Sequence, residues 1–275
     1  MNSVQLLTVL LPTAYLLTAG LYGMAFAGDR MPRWAGITRR IALACTLVLH
    51  GSMFALHGLT TDAFPIHGSG LTLSSVVLAT ALVFQLVSWR ISHPAAGSVL
   101  LVGLFALQLL ASILSPMVAT GRAVATDGIA ASHILSMTFA SAALLLSGVY
   151  AGLHVLVFRQ MRARRFGPLF EELPDLDALA KLTRRSALAG FLALTVGLNV
   201  GIGLAHARRE DFGYVDAQVI SILVLWVHFG LIAFSRLLPG FTARRVSMAA
   251  MCGLAVLIVA FAFMILPDLS FHDLS

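Results

Sequence analysis

Histidines are the residues of this sequence whose type and position could carry chemistry. Nine occur in a chain of 275 residues that is 59% hydrophobic. Two of them, His50 and His228, fall near the middle of long apolar segments. A neutral imidazole in hydrocarbon must be hydrogen-bonded or bind a metal, because an unsatisfied polar group there costs several kcal/mol. Each of these two positions is therefore either a structural hydrogen-bonding group or a metal ligand.

The other histidines divide between the two expected faces of a membrane. Those at or beyond the predicted outer surface are His57, His67, His133, His206 and His272, and those on the inner side are His93 and His154. Five histidines on one surface favour a shared ligand. Because thiolates and nearby acids are lacking, paired neutral imidazoles suit an iron porphyrin better than a tetrahedral zinc site. A zinc site stays open as the alternative.

The segments that must position these histidines are membrane spans. Apolar stretches of about 20 residues recur along the chain, and each can cross a hydrocarbon core of ~30 Å at ~1.5 Å per residue. They cover residues 4–27, 38–58, 70–89, 97–115, 129–158, 185–204, 215–237 and 246–266. We therefore predict an all-α fold, a polytopic membrane bundle of about eight transmembrane helices, in which residues 1–275 form a single transmembrane domain.

Basic residues alternate from side to side between these spans. The first, third, fifth and seventh loops carry four, one, seven and three of the 18 lysines and arginines, whereas the opposite side carries Arg122, Arg208 and Arg209. Cytoplasmic loops collect Lys and Arg, so we expect both termini on the outer face. The net charge of +6 then reflects membrane topology.

Several functional classes find little support in the sequence. A basic face with interleaved aromatic residues is missing, so we expect no nucleic-acid partner. The sequence contains neither a P-loop nor an H-E-x-x-H motif, and no carboxylate lies near the middle of a span, which disfavours an ion-driven transporter. Cys45 and Cys252 both fall inside spans, so thiol–disulfide chemistry is not expected.

Two features of the second half of the chain have structural interpretations. Within residues 160–184, leucines recur every third residue after Pro174 and Asp175, which predicts a short amphipathic connector helix along the cytoplasmic interface. The sixth span carries Gly190, Gly197 and Gly201 at spacings of 7 and 4. Small residues let membrane helices approach closely, so this face is expected to pack against a neighbouring helix.

Several motifs, taken in order, resemble a known family. They are LPxLxxLxxLxxR at 173–185, GFxxLTxGLxxG at 190–201, SHILS at 132–136, SIL at 221–223 with Trp226, and GFTARR at 240–245. The chain resembles the cytochrome c assembly proteins of the CcsA/CcmC/HemX type, and most closely the bacterial inner-membrane members without the full tryptophan-rich haem loop. The resemblance covers a core of about residues 38–275. The haem loop is reduced here to DFGYVD at 211–216.

The resemblance implies that the cofactor is haem and suggests which residues hold it. Carried over by position, the outer ligands are His133 and His272, and the intramembrane ligand is His50. The family's second intramembrane histidine is missing near residues 234–236, and His228, at nearly the same estimated depth as His50, is its candidate replacement. Arg208 and Arg209 are candidate cofactor-binding residues, because haem propionates seek cations.

The predicted function is an integral membrane protein of the bacterial inner membrane that binds or handles haem in cytochrome c assembly. Its partners are then the lipid bilayer and other membrane proteins of cytochrome c maturation. No independent catalytic motif is present, so an assembly factor is favoured over an enzyme. Two alternatives remain: a haem-free scaffold or regulatory partner in haem metabolism, and a small-solute transporter.

Overall fold

A computed structural model describes residues 3–24, 33–61, 64–66, 68–89, 94–115, 128–164, 170, 172–208 and 217–265. Helices fill nearly all of these ranges, and no strand occurs within them. The long helices are α1 (Ser3–Gly23), α2 (Arg33–Thr61), α3 (Gly68–Ser88), α4 (Pro94–Leu114), α5 (Gly128–Arg162), α6 (Leu176–Arg208), α7 (Ala217–Ala233) and α8 (Ala243–Ile265). A single 3-10 turn, Ser235–Leu237, follows α7.

The helices have the length and composition of membrane spans. Seven of them, α1 to α6 and α8, are long and apolar enough to cross a bilayer, and α7 adds a shorter apolar segment at Val219–Ala233. Large apolar side chains also remain on the helix surfaces; Val48, for example, is 72% exposed. Such surfaces suit lipid rather than water. The prediction of a polytopic all-α membrane protein is confirmed.

The boundary of α6 differs from the expectation for residues 160–184. The helix begins where Pro174 and Asp175 predicted it, because Asp175 Oδ1 accepts a hydrogen bond of 2.6 Å from the Ala178 N–H and so caps the first turn. It then continues without a break to Arg208. Nothing between Leu182 and Ala187 interrupts a helix, so the expected separate connector helix is instead the first part of α6.

One compact unit comprises residues 1–125 and 160–174, and contains α1 to α4. Leu11 of α1, Met53 and Phe54 of α2, and Leu71 of α3 form an apolar cluster in it. Polar side chains are also buried between these helices. Thr18 of α1 and Thr46 of α2 share a hydrogen bond of 2.8 Å. The expectation of one domain for residues 1–275 stays a prediction.

The second unit comprises residues 126–159 and 175–275. Its core includes Leu144 of α5, Leu194 of α6, Phe229 of α7 and Ala250 of α8. The glycines of α6 pack closely against α5, as predicted: a Cβ added at Gly190 would lie 2.4 Å from Leu144 Cδ2. Close approach of the helices is possible there because the glycines have no side chain.

Candidate functional site

His133, on the first turns of α5, lies in a niche formed by two glycines of α6. Its ring is half-buried. The nitrogen Nδ1 lies 2.8 Å from the carbonyl oxygen of Gly197. One turn further along α6, a Cβ added at Gly201 would lie 2.6 Å from His133 Cε1 and 2.9 Å from Nδ1. Only glycine at position 201 leaves room for the imidazole in this place.

The hydrogen bond to Gly197 determines which nitrogen of His133 can bind a ligand. A carbonyl oxygen only accepts, so Nδ1 carries the proton and donates it. In a neutral ring, Nε2 then holds the lone pair. Among the described residues, none hydrogen-bonds to Nε2. An imidazole held through Nδ1–H by a backbone carbonyl, with Nε2 free, is the usual arrangement of a histidine that binds a metal.

His50 lies in a different environment, at the centre of a buried chain of hydrogen bonds in the first unit. Its side chain is 0% exposed. Nδ1 lies 3.0 Å from the Tyr15 hydroxyl, and Nε2 lies 2.9 Å from the Ser74 hydroxyl. Ser74 in turn donates to Gln108 Oε1 at 3.1 Å. The four side chains come from α1, α2, α3 and α4, so this chain of polar groups joins all four helices of the unit.

Both ring nitrogens of His50 are therefore occupied. The ring also stacks on Phe54, with centroids 5.5 Å apart and planes inclined by 13°. An iron ligand needs a free lone pair, and as placed here His50 has none available. His50 could be recognised as a candidate from the sequence, whereas its partners Tyr15, Ser74 and Gln108 were not predicted. A glutamine inside an apolar span was the available signal, because a buried amide requires polar partners.

His228, on α7, is partly buried. It is hydrogen-bonded through Nε2, whereas His133 is hydrogen-bonded through Nδ1. Its Nε2 lies 2.7 Å from the carbonyl oxygen of Ala249 on α8, so Nε2 is the protonated nitrogen. The ring packs edge-on against Phe229, with centroids 5.6 Å apart, and over Gly253, whose added Cβ would lie 2.8 Å from His228 Cδ2. His228 thus bridges α7 and α8, and the lone pair is left on Nδ1.

The remaining predicted site residues are only partly described. Arg208 ends α6, and its side chain is outside the described part of the structure. Arg209, His272 and the 211–216 segment lie outside the described residues altogether. Within the described ranges, no group of three or more His, Cys, Asp or Glu side chains could hold a metal ion.

The motifs of the sequence analysis have definite packing roles. Phe191 on α6 stacks on Trp226 of α7, with centroids 5.4 Å apart, and Trp226 Nε1 donates to Thr195 Oγ1 at 2.8 Å. In the GFTARR turn, Gly240 has a φ of +82°, which favours glycine. The Arg245 guanidinium donates to the Gly240 carbonyl at 2.8 Å. These motifs therefore define the helix contacts of the unit that contains His133.

Comparisons with known proteins match most of the sequence. A family model described as "Cytochrome C assembly protein" matches residues 34–268. The chain is 28% identical over 102 residues to the cytochrome c biogenesis protein CcsA of Prochlorococcus marinus (strain NATL1A), covering 37% of this chain and 32% of that protein. It is 29% identical over 97 residues to CcsA of Synechococcus sp. (strain WH7803), covering 35% and 30%. These alignments span about a third of each relative.

Proposed function

We propose that this chain, which belongs to the cytochrome c assembly protein family, is a haem-handling protein of the bacterial inner membrane. Its relatives are named for cytochrome c biogenesis, and the proposal extends that role to this chain. Haem supplies an iron that takes imidazole nitrogens as axial ligands, and two propionates that seek cations. The residues of this chain must then offer a free imidazole nitrogen at the membrane surface.

The observation that carries the proposal is the hydrogen bonding and packing of the His133 ring. Its Nδ1–H is held by the Gly197 carbonyl at 2.8 Å, and Gly201 leaves room for the ring. In the neutral ring this leaves the lone pair on Nε2 and holds the ring orientation, which are the two properties an axial histidine needs.

The proposed outer site adds His272 and the Arg208–Arg209 pair to His133. We propose that His272 supplies a second imidazole and that the two arginines pair with the propionates. Arginine suits this task because its guanidinium stays charged and can bind a carboxylate through two parallel hydrogen bonds. His228, with its lone pair on Nδ1, is proposed as a secondary ligand candidate. His50 is a candidate only if its contact with Tyr15 or with Ser74 opens.

The test is the absorption spectrum of the purified full-length protein from haem-replete cells, recorded oxidised and reduced. We expect a Soret band with sharp bands on reduction. The variants His133→Ala and His272→Ala should each lower the haem content, and Arg208→Ala with Arg209→Ala should lower it less. His206→Ala is the matched control, since His206 Nδ1 bonds to Ile202 of its own helix at 2.9 Å.

Two outcomes would count against the proposal. A wild-type protein without a Soret band, even after added haemin, would reject haem binding. Equal loss of haem in His133→Ala and His206→Ala would remove His133 from the site. In both cases, insertion into the membrane should be verified first by detergent extraction of the intact protein.

A second candidate function is a haem-free scaffold, and one observation favours it. His50, the intramembrane residue to which the family resemblance assigns iron binding, has both nitrogens engaged by Tyr15 and Ser74. Under this alternative, His50 serves to hold four helices together. The same spectra separate the two functions, because a scaffold takes up no haem whatever the state of His133.

A further inference from the structure

The ends of α6 and α7 nearest the 3-10 turn form a basic groove that the proposed haem function does not use. The groove encloses about 450 Å³. It is lined by Lys181, Arg184, Arg185, Leu188, Ala233 and Arg236. All six residues belong to the second unit, and by the charge rule this end of the helices faces the cytoplasm.

The positive charges of this groove are only partly compensated: Asp177 acts electrostatically on Lys181, Arg184 and Arg236, but it is one carboxylate among four cations. Within the described residues, the one ion pair joins Lys181 Nζ to Asp177 Oδ2 at 2.5 Å. No described acidic group forms an ion pair with Arg184, Arg185 or Arg236. Three guanidinium groups that share one groove repel each other, and this repulsion is relieved when an anion binds among them.

Other arginines near the predicted cytoplasmic ends of the helices do have protein partners. Arg40 Nη2 donates to the Ser88 carbonyl at 3.3 Å. The Arg244 guanidinium lies over the Phe158 ring, 5.2 Å from its centroid, and Arg245 donates to the Gly240 carbonyl. A general excess of positive charge on the inner side accounts for the number of these residues. It does not account for three guanidinium groups that converge on one cavity.

The apolar part of the groove indicates the kind of anion. Leu188 and Ala233 are the apolar residues of the lining. Leu188 begins an exposed stripe on α6 that continues at four-residue spacing through Leu192 and Val196, which are both 54% exposed. Residues spaced by four lie on one helix face. The surface is thus cationic at one end and apolar along its length. It therefore complements a phospholipid, which has an anionic headgroup and apolar acyl chains.

We propose that this groove binds the phosphate headgroup of an anionic phospholipid. The phosphate lies among Arg184, Arg185 and Arg236, and an acyl chain follows the Leu188 stripe. Basic pockets between transmembrane helices at the cytoplasmic side are suited to such headgroups. A free phosphate ion would use the same cations but would have no use for the apolar stripe.

The test measures lipid preference with the full-length protein reconstituted in phosphatidylcholine vesicles. Trace spin-labelled phosphatidylglycerol or phosphatidylcholine is added, and the motionally restricted fraction gives the relative association constant. We expect wild type to prefer phosphatidylglycerol by at least about fivefold, the ratio that ~1 kcal/mol per basic residue near the headgroups gives. The double variant Arg184→Gln with Arg236→Gln should lower the ratio by at least about fivefold relative to wild type.

The matched control is Arg244→Gln with Arg245→Gln, which removes two cytoplasmic charges whose guanidinium groups have protein partners. It should keep most of the preference. Equal losses in the two double variants would reduce the effect to general surface charge and overturn the site. A wild-type protein that shows no preference for phosphatidylglycerol over phosphatidylcholine would also overturn the site.

Two displacement experiments distinguish a phospholipid from other anions. Displacement of phosphatidylglycerol by inorganic phosphate, but not by sodium chloride of equal ionic strength, would assign the groove to a soluble phosphate and refute the lipid. Displacement by haemin would assign it to propionates. Arg185→Gln, a single change on an exposed position, serves if the double variant does not insert, and it should lower the preference by several-fold.

Discussion

Replacement of Gly201 by alanine tests the placement of His133 by a single methyl group. The added Cβ would lie 2.6 Å from His133 Cε1, 2.9 Å from Nδ1 and 3.5 Å from Nε2. Contacts below 3.0 Å do not persist, so the ring must move away from α6. The movement would break or lengthen the 2.8 Å hydrogen bond to the Gly197 carbonyl, which sets both the tautomer and the ring orientation.

Gly203→Ala is the matched control, because it makes the same change on the same helix where no atom of the described residues lies within 4 Å of the added Cβ. Alanine is favoured over glycine in a helix by roughly 0.8–1.0 kcal/mol. This gain applies to both variants, and it cancels in their difference. Overpacking at position 201 costs about 1–3 kcal/mol. Gly201→Ala should therefore be less stable than Gly203→Ala by about that amount.

The assay combines thermal unfolding in detergent with haem content from the Soret absorbance. If His133 binds iron, loss of its supporting hydrogen bond should weaken haem binding by about 10–100-fold, as for other groups that orient metal-bound histidines. Gly203→Ala should leave haem content at the wild-type level. Equal stability of the two variants would refute the contact between Gly201 and His133. A stability difference without a change in haem content would refute the ligand role alone.

Three further predictions concern the rest of the chain. Reporter fusions at Ser275 and within residues 165–175 should report opposite compartments, because the basic residues cluster on one side; identical compartments would overturn the assigned topology. Tyr15→Phe should lower the stability of the protein by about 1–3 kcal/mol, because His50 Nδ1 loses its buried partner, whereas an unchanged melting temperature would contradict the hydrogen bond. Asp175→Ala should cost about 0.5–2 kcal/mol through loss of the α6 cap, and Asp175→Asn should restore most of it.

The fold class could be predicted from the sequence because a bilayer imposes it. A span needs about 20 apolar residues with every backbone group hydrogen-bonded internally, and both conditions are visible in composition. Helix ends were harder to predict. α6 extends nine residues before the predicted start of its apolar segment at 185, because hydropathy reports where lipid begins and does not report where a helix begins.

The close packing of the glycine face of α6 was predictable, but the side chains that pack against it were not. Spacings of 7 and 4 predict that Gly190, Gly197 and Gly201 pack against a neighbour, and they do so against α5. Nothing in the spacing says that the group seated at Gly201 is an imidazole. That depends on the register between α5 and α6, a tertiary property fixed by contacts such as Leu144 against Gly190.

The polar chain through His50 was hidden for a similar reason. Tyr15, Ser74 and Gln108 lie 35, 24 and 58 residues from His50 in the sequence, and their types are unremarkable one by one. Four helices must be assembled before they meet. Only the expectation that a buried imidazole needs partners could be drawn from residue type.

His50 and His133, which the family resemblance assigns as the intramembrane ligand and an outer ligand, differ in how many ring nitrogens are engaged. With the Gln108 amide oriented as here, Ser74 donates to Gln108 and therefore accepts from His50 Nε2–H, so the Tyr15 hydroxyl donates to Nδ1. Iron at Nδ1 would have to displace the Tyr15 hydroxyl and leave it buried without a partner, at a cost of about 1–3 kcal/mol. Iron at Nε2 would require the proton to move to Nδ1 and the Ser74 contact to open.

His133 requires neither change, because its proton is already on the nitrogen that faces Gly197. Of these two separate positions, His133 would therefore bind haem first, because no hydrogen bond has to be broken there. Binding at His50 would be coupled to rearrangement of the contacts among α1, α2 and α3. Tyr15→Phe separates binding at His50 from binding at His133. By removing the hydroxyl that competes for His50 Nδ1, it should destabilise the protein yet increase any haem occupancy at His50. It should leave any haem occupancy at His133 unchanged.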